Sequence, residues 1–447
     1  MLPSPVTVNP IDSRIPGFYR LTLHERQDLI ADRLQTPASA LRRLLDAGGL
    51  TSDIANNTVE NVIGTYALPF GLALNFRVNG TDRIIPMVVE EPSVIAAASN
   101  AARLARMSGG FFASMIDTQM TGQIEIRGIE NVSESIRLLG LARAQLLELA
   151  NSAAPGLVSR GGGAKELEVR DLGRGMLVVH IYVDCKDAMG ANLVNGIAEA
   201  IVPEIARIAR GRLGLRILTN LCDRRRVRAE CRVAIAHFAD SKGASDSGPD
   251  PIAAGRQIAI AIEEASRFAS IDPYRAVTHN KGIMNGVDSV VLATGNDYRA
   301  VEAAAHAWAA IAGSYRPLAQ WQIGDDFLTG QLEMPLALGI VGGTLRVHPT
   351  AQWALSLLDV KSASELCEIA ACVGLASNLS ALRALATEGI QRGHMSLHAR
   401  NVAVTAGASP EEVESLARLL VEGGRINEAA AQSLLLEIRT LALKGQP

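Results

Sequence analysis

The sequence predicts an α+β protein: a large mixed α/β domain, interrupted by a smaller ferredoxin-like (βαββαβ) insert and finished by a small helical unit. Three observations carry this. Between about Thr121 and Arg228 the periodicity runs strand, helix, strand, strand, helix, strand. Long alanine-rich helical stretches lie on both sides of that block. The chain is 48% hydrophobic but only 4% aromatic, with 40 glycines, which favours closely packed helices over an aromatic recognition surface. The boundaries expected are 1–116 with 230–387 for the large domain, 117–229 for the insert and 388–447 for the C-terminal unit.

Residues 11–45 open on the turn-like SRIPGFY and continue as a helix, in which charged residues from Glu25 to Arg33 alternate with Leu29, Ile30 and Leu34. An extended run ends at Val78, and Asn79-Gly80 is a hairpin turn into Arg83–Val89. Glu90-Glu91-Pro92-Ser93 follows, with Pro92 suited to the first turn of a helix that occupies Val94–Arg106. Gly109-Gly110 ends that helix. The insert supplies strands at Gln123–Arg127, Glu166–Arg170, Met176–Asp184 and Leu215–Leu221, and helices at Glu134–Asn151 and Asn192–Arg210. Gly161-Gly162-Gly163 reads as a plain loop. Arg224, Arg225, Arg226 and Arg228 read as a solvated basic edge, with phosphate binding as the alternative. After a linker at Ser241–Pro249, helix resumes at Ile252–Ser270. A strand pair is expected within Glu333–Leu345, and helices at Ala363–Val373, Leu379–Glu388, Pro410–Gly423 and Asn427–Leu443.

The chemistry concentrates in His279–Asp297, HNKGIMNGVDSVVLATGND. His279–Gly286 reads as a polar, glycine-punctuated turn; Val287–Ala293 is a buried strand or a buried helix segment, which periodicity does not separate. Thr294-Gly295-Asn296-Asp297 brings breaker and cap residues before a helix at Tyr298–Ala312. Taken alone, Lys281 is a solvated lysine and Asp297 an N-cap. Glu90 and Glu91 are ordinary partners of a helix dipole, unless the strand delivers one into a cleft where burial makes it an acid. Asp187-Ala188-Met189-Gly190-Ala191-Asn192 joins a strand to a helix, and its glycine and free helix amides suit an anion such as a pyrophosphate. It is not the GxGxxG fingerprint. His394 and His398 are four apart, but no third ligand accompanies them at familiar spacing, so no metal is expected.

A net charge of −3 gives no reason to expect nucleic acid or an anionic membrane as partner. The five cysteines contain no CxxC pair, which points to reduced thiols in the cytoplasm. MLPSPVTVNPIDSR lacks the pattern of a signal peptide, and no apolar run approaches the length of a membrane span.

Five motifs occur in order: ENVIGTY at Glu60–Tyr66, VVEEPSVIAAAS at Val88–Ser99, DAMGAN at Asp187–Asn192, HNKGIMNG with ATGND at His279–Asp297, and RGHMSLHARN at Arg392–Asn401. In these the chain resembles the class II (soluble, bacterial-type) 3-hydroxy-3-methylglutaryl-coenzyme A (HMG-CoA) reductases, over most of its length. The resemblance implies reduction of HMG-CoA to mevalonate and CoA, or the reverse, by two NAD(P)H hydride transfers. It implies Lys281 as oxyanion stabiliser, Glu91 as proton donor, Asp297 as the residue that tunes both, and His394, on a mobile flap, as the acid for the CoA thiolate. Ser93, Arg275 and Asn285 become substrate-binding residues, and Arg14 and Arg20 candidates for the CoA phosphates. DAMGAN becomes the cofactor loop of a non-Rossmann nucleotide-binding domain, through Asp187, Met189, Gly190 and Asn192. In NAD-preferring relatives an acidic residue precedes the glycine triplet; here Ala154 takes that place and Arg160 is suited to a 2′-phosphate, so NADPH is expected alongside NADH. A homodimer or higher oligomer with sites at the subunit interface is also implied. The rival is a catalytically inactive CoA- or nucleotide-binding regulatory homologue, against which the retention of all four polar residues argues. A serine hydrolase would need GxSxG, which is missing.

Overall fold

The computed structural model describes residues 12–241, 251–387 and 390–444; most of the Ser241–Pro249 linker lies outside them. The first helical stretch is two helices, α1 (Leu23–Arg33) and α2 (Ala38–Leu45). Gln35 adopts φ 49° and Pro37 precedes α2, which together stop one helix and start another. Helix α3 (Ser52–Thr58) leads to strands β1 (Phe70–Val78) and β2 (Thr81–Val88). These pair as the expected hairpin, Asn79 and Gly80 both taking positive φ in the turn. Helix α4 (Val94–Arg106) follows, with Pro92 outside its first turn and Ser93 as its N-cap.

Strand β3 (Phe111–Met115), unforeseen in the sequence, precedes the insert. There β4 (Gln119–Arg127) leads to helices α5 (Val132–Leu141), α6 (Arg143–Ser152) and α7 (Pro155–Val158), then strands β5 (Gly163–Gly173) and β6 (Met176–Asp184). Helix α8 (Ala191–Ala209) and strand β7 (Arg212–Leu218) complete it. The four strands form one antiparallel sheet in the order β5-β6-β4-β7, as a βαββαβ chain closes when its two crossovers share a face. Ile124, Ile126, Val179 and Ile181 pack beneath α8 through Val194, Ile197 and Ile201.

The chain then returns to the first sheet with β8 (Arg226–Ala234). Helices α9 (Pro251–Ile271), α10 (Pro273–Ala293) and α11 (Tyr298–Ala309) are followed by β9 (Ala319–Ile323) and β10 (Phe327–Pro335). The second sheet is six-stranded, β2-β1-β3-β8-β10-β9. The Glu333–Leu345 segment expected to carry a strand pair contributes only Glu333–Pro335, the end of β10; from Leu336 it runs without regular structure to a 3-10 turn at Gly343–Arg346. Helices α12 (Pro349–Leu358), α13 (Ala363–Ala386), α14 (Ile390–Thr405), α15 (Val413–Glu422) and α16 (Glu428–Lys444) finish the molecule, the last three around a small core of their own at Ala399, Leu416, Leu420 and Leu435.

Two expectations fail for one reason. His279–Gly286 is not a turn but part of α10, a continuous 21-residue helix, and the two helices expected between Ala363 and Glu388 are one, α13. Their glycines serve contact between helices. A Cβ on Gly286 would meet Ser377 Oγ at 2.4 Å and Val373 O at 2.7 Å, and one on Gly374 would meet Val287 Cγ2 at 2.7 Å. The same α13 is long and apolar enough to cross a membrane by length and composition, contrary to expectation, but most of it is buried inside the protein as a core helix.

Candidate active site

Strand β2 ends at Val88, and the bend that follows leaves Glu90 exposed and Glu91 partly buried, both at the same cavity. Glu91 meets α10 there. Its Oε2 lies 2.5 Å from Lys281 Nζ and accepts a hydrogen bond from Asn285 Nδ2 at 3.2 Å. Lys281 and Asn285 are four apart and so share one face of the helix. The lysine side chain is 59% exposed and the carboxylate 34%, so the pair stands at an open wall and not in a sealed core.

That wall belongs to a cavity of about 1620 Å³, lined among others by Arg14, Thr65, Glu91, Ser93, His348 and Asn401. Ser93 is in the left-handed region at φ 74°, unusual for a residue with a side chain, and its Oγ is buried without a hydrogen-bond partner. A donor held that way suits an incoming ligand. Arg14 reaches the cavity, although its guanidinium pairs with Asp12 at 2.8 Å; Arg20 does not line it and lies against Tyr19. Arg275, on the first turn of α10, is half-buried, and burial alone pushes its pKa below the usual value. An anion arriving from outside would relieve that cost.

Two residues before Lys281, and so on another face of α10, His279 is 2% exposed, and Asn378, which accepts a bond from Trp321 Nε1, contacts its Nε2 at 3.1 Å. Burial, helped by the nearby Arg275 charge, lowers its pKa to about 4. The unfolded chain binds a proton near pH 6.5, and the folded chain refuses it until about pH 4. Stability therefore falls as pH drops through that window, by about 2 kcal/mol at pH 5. Urea unfolding at pH 7 and pH 5 checks this, and His279→Gln should flatten the slope.

Asp297 is not brought to Lys281 in this chain. It caps α11, accepting from Ala300 N at 3.1 Å, and its side chain is 46% exposed. The helix between them, Lys281 to Ala293, spans about 18 Å. At that far end lies the loop Asp187–Asn192: Asn296 exchanges two hydrogen bonds with Gly339, whose added Cβ would meet Met189 N at 2.5 Å. Gly190 has φ 109° and precedes α8, whose N-terminus has no side-chain cap and whose second residue is Asn192. A Cβ there would strike Cys185 Sγ at 2.5 Å, so the position admits only glycine. Asp187 Oδ1 accepts from Ala363 N at 3.0 Å and thereby ties the loop to the start of α13. The glycine triplet is no plain loop either, since a Cβ on Gly162 would meet Asp184 O at 2.6 Å. Ala154 is buried as the N-cap of α7, Arg160 is exposed, and Lys186 lies against Gly161. Uncapped helix amides beside these cations fit a dinucleotide phosphate.

His394 falls on α14, in a stretch whose side chains lie outside the described residues, as does its surroundings' chemistry. The arginine cluster is not a solvated edge. Arg226 bridges Asp117 and Glu333, Arg228 pairs with Glu333, and Arg224 stacks over Tyr182. A carboxyl pair also escaped the sequence reading: Asp288 on α10 is pushed well above the usual carboxylate range by burial and by the neighbouring Glu302 on α11. The i to i+14 spacing across a helix break left no signal for it. Among the described residues no group of three metal-ligating side chains converges.

A carboxylate at the wall of a cavity this large, paired with a lysine ammonium from a neighbouring helix, defines a class, an α+β protein with a candidate active site for a bulky substrate. The chain belongs to the hydroxymethylglutaryl-coenzyme A reductase family, whose model matches residues 22–399. The 3-hydroxy-3-methylglutaryl-coenzyme A reductase of Archaeoglobus fulgidus is 44% identical over 435 residues, covering 96% of each chain. A probable reductase of the same kind from Borreliella burgdorferi is 36% identical over 353 residues, 78% of each. The Streptococcus pneumoniae reductase superposes with a TM-score of 0.79 at 38% identity, over 95% of this chain and 99% of that one. A second structure from that organism, described as the class II enzyme bound to NADPH in open conformations, gives 0.78 over 83% and 99%.

Proposed function

We propose that the chain interconverts HMG-CoA and mevalonate plus CoA, and that its active sites form between two copies. The observation that carries the reading is Glu91 held by Lys281 and Asn285 at the wall of the large cavity. A nicotinamide cofactor would supply the hydrides. Lys281 stabilises negative charge on the substrate carbonyl oxygen as it develops, and Glu91, in contact with it, delivers the proton. Ser93 and Arg275 hold the HMG end, the arginine through its carboxylate. Arg14 at the cavity, and Arg20 outside its lining, meet the CoA phosphates. Residues 1–116 with 230–387 form the substrate domain, 117–229 the nucleotide domain and 388–447 the flap.

The separation of Asp297 from Lys281 supports the second copy. Asp297 sits beside the cofactor loop and Lys281 a helix length away, so one chain cannot place both on one substrate. A twofold partner with its α10 reversed would bring its own Asp297 and cofactor loop to this Lys281. Asp187, Met189, Gly190 and Asn192 shape the loop for the pyrophosphate, while Ala154 leaves room for a 2′-phosphate that Arg160 attracts.

HMG-CoA-dependent oxidation of NADPH and of NADH, followed by absorbance on wild type and Ala154→Asp, tests the activity and the cofactor together. We expect turnover with both, NADPH at least as good, and a shift towards NADH in the variant. A chain that binds HMG-CoA but oxidises neither cofactor would be the inactive homologue. His394→Ala should slow thioester reduction by about 100-fold and leave reduction of free mevaldehyde largely intact, since only the thioester releases a thiolate that needs a proton. Equal losses in the two assays would remove His394 from that step.

A further inference from the structure

Arg225 lies in the turn between β7 and β8 and is 3% exposed, yet no ion pair engages it among the described residues. Its guanidinium is occupied by backbone carbonyls. Nη1 donates to Ala188 O at 3.0 Å and to Met189 O at 2.9 Å, and Nη2 to Leu338 O at 2.6 Å. Its own carbonyl accepts from Leu336 N at 2.9 Å. The next carbonyl back, Asp187 O, accepts from Ile340 N at 2.9 Å. Three successive carbonyls, at 187, 188 and 189, are thus turned onto partners inside the protein.

We propose that Arg225 is a positioning residue for the dinucleotide: it holds the carbonyls of the cofactor loop away from the phosphates and places a fixed positive charge behind the loop. This rests on the reading of Asp187–Asn192 as the cofactor loop. A carbonyl lone pair facing a pyrophosphate repels it, so a loop that meets one in close approach must first dispose of its carbonyls. A buried cation without a carboxylate is costly in the free protein, and its field is screened far less than that of a surface arginine. An incoming anion on the other side of the loop recovers part of that cost. Only a planar fork suits the task, because one ammonium cannot span Ala188, Met189 and Leu338 together. Gly339, next to Leu338 in the chain, packs against Met189 N at a distance no Cβ tolerates, so a second contact fixes the loop.

The test measures NADPH affinity directly, by quenching of protein fluorescence, on full-length wild type, Arg225→Lys, Arg225→Met and Gly339→Ala. KM for HMG-CoA and the thermal midpoint are measured beside it. Arg225→Lys should weaken NADPH binding about tenfold or more, as should Gly339→Ala, with KM for HMG-CoA changed less than about twofold. Arg225→Met should be worse, and if it fails to fold the other two variants still decide. An unchanged NADPH affinity in Arg225→Lys overturns the proposal, and so does an equal loss of NADPH affinity and HMG-CoA KM that tracks the thermal midpoint. Wild type that binds HMG-CoA but not NADPH or NADH overturns instead the cofactor-loop reading beneath it.

Discussion

Lys281→Ala is expected to lose about 100- to 1000-fold in kcat for HMG-CoA reduction while NADPH affinity stays within about twofold. The ammonium is worth most where charge appears on the carbonyl oxygen, and nothing else on that face of α10 carries a positive charge: its neighbour one turn on, Asn285, is neutral. The variant also frees Glu91 from its closest partner, so the proton donor is disturbed along with the electrophile. Steady-state rates with a separate measurement of nucleotide binding check both halves. Turnover within a few-fold of wild type would leave the Glu91–Lys281 contact a surface ion pair, which in general contributes little.

The second large effect is a recovery. Lys281→Ala and Asp297→Asn chains, each inactive alone, should regain roughly a quarter of wild-type specific activity when unfolded together and refolded as a mixture. If each site takes Lys281 from one chain and Asp297 from the other, half of the dimers are mixed, and a mixed dimer has one intact site. Sites confined to single chains give no recovery at all. Size-exclusion of the same sample settles whether dimers formed, so a failure to associate is not mistaken for a failure to complement.

How much of this was legible in the sequence depended on what each glycine and each polar residue was for. The Asn79-Gly80 hairpin and the strand and helix order of the insert were readable because turn chemistry and local periodicity are short-range properties. The α10 segment was not. Gly282 and Gly286 look like turn residues, but Gly286 is there because α13 passes too close for a side chain, and that neighbour lies about ninety residues away. Among the site residues, spacing showed a capping residue at Asp297 and a lysine at Lys281; the motif resemblance, not the spacing, singled out Glu91 over Glu90. The structure brings Glu91, Lys281 and Asn285 together and leaves Asp297 apart. Arg225 was hidden in a run of four arginines because its partners are carbonyls, which every residue has and no sequence pattern marks.

The continuity of α10 has one more consequence. A loop between Lys281 and Asp297 would absorb an inserted or deleted residue, but a helix acts as a ruler with a phase. One residue more or less between Lys281 and Ala293 changes the length by about 1.5 Å and rotates one end against the other by about 100°. Lys281 would then turn off the Glu91 face even though every side chain of the site was still present. The segment can therefore vary in composition wherever packing allows, but its length is as constrained as any of the residues it carries.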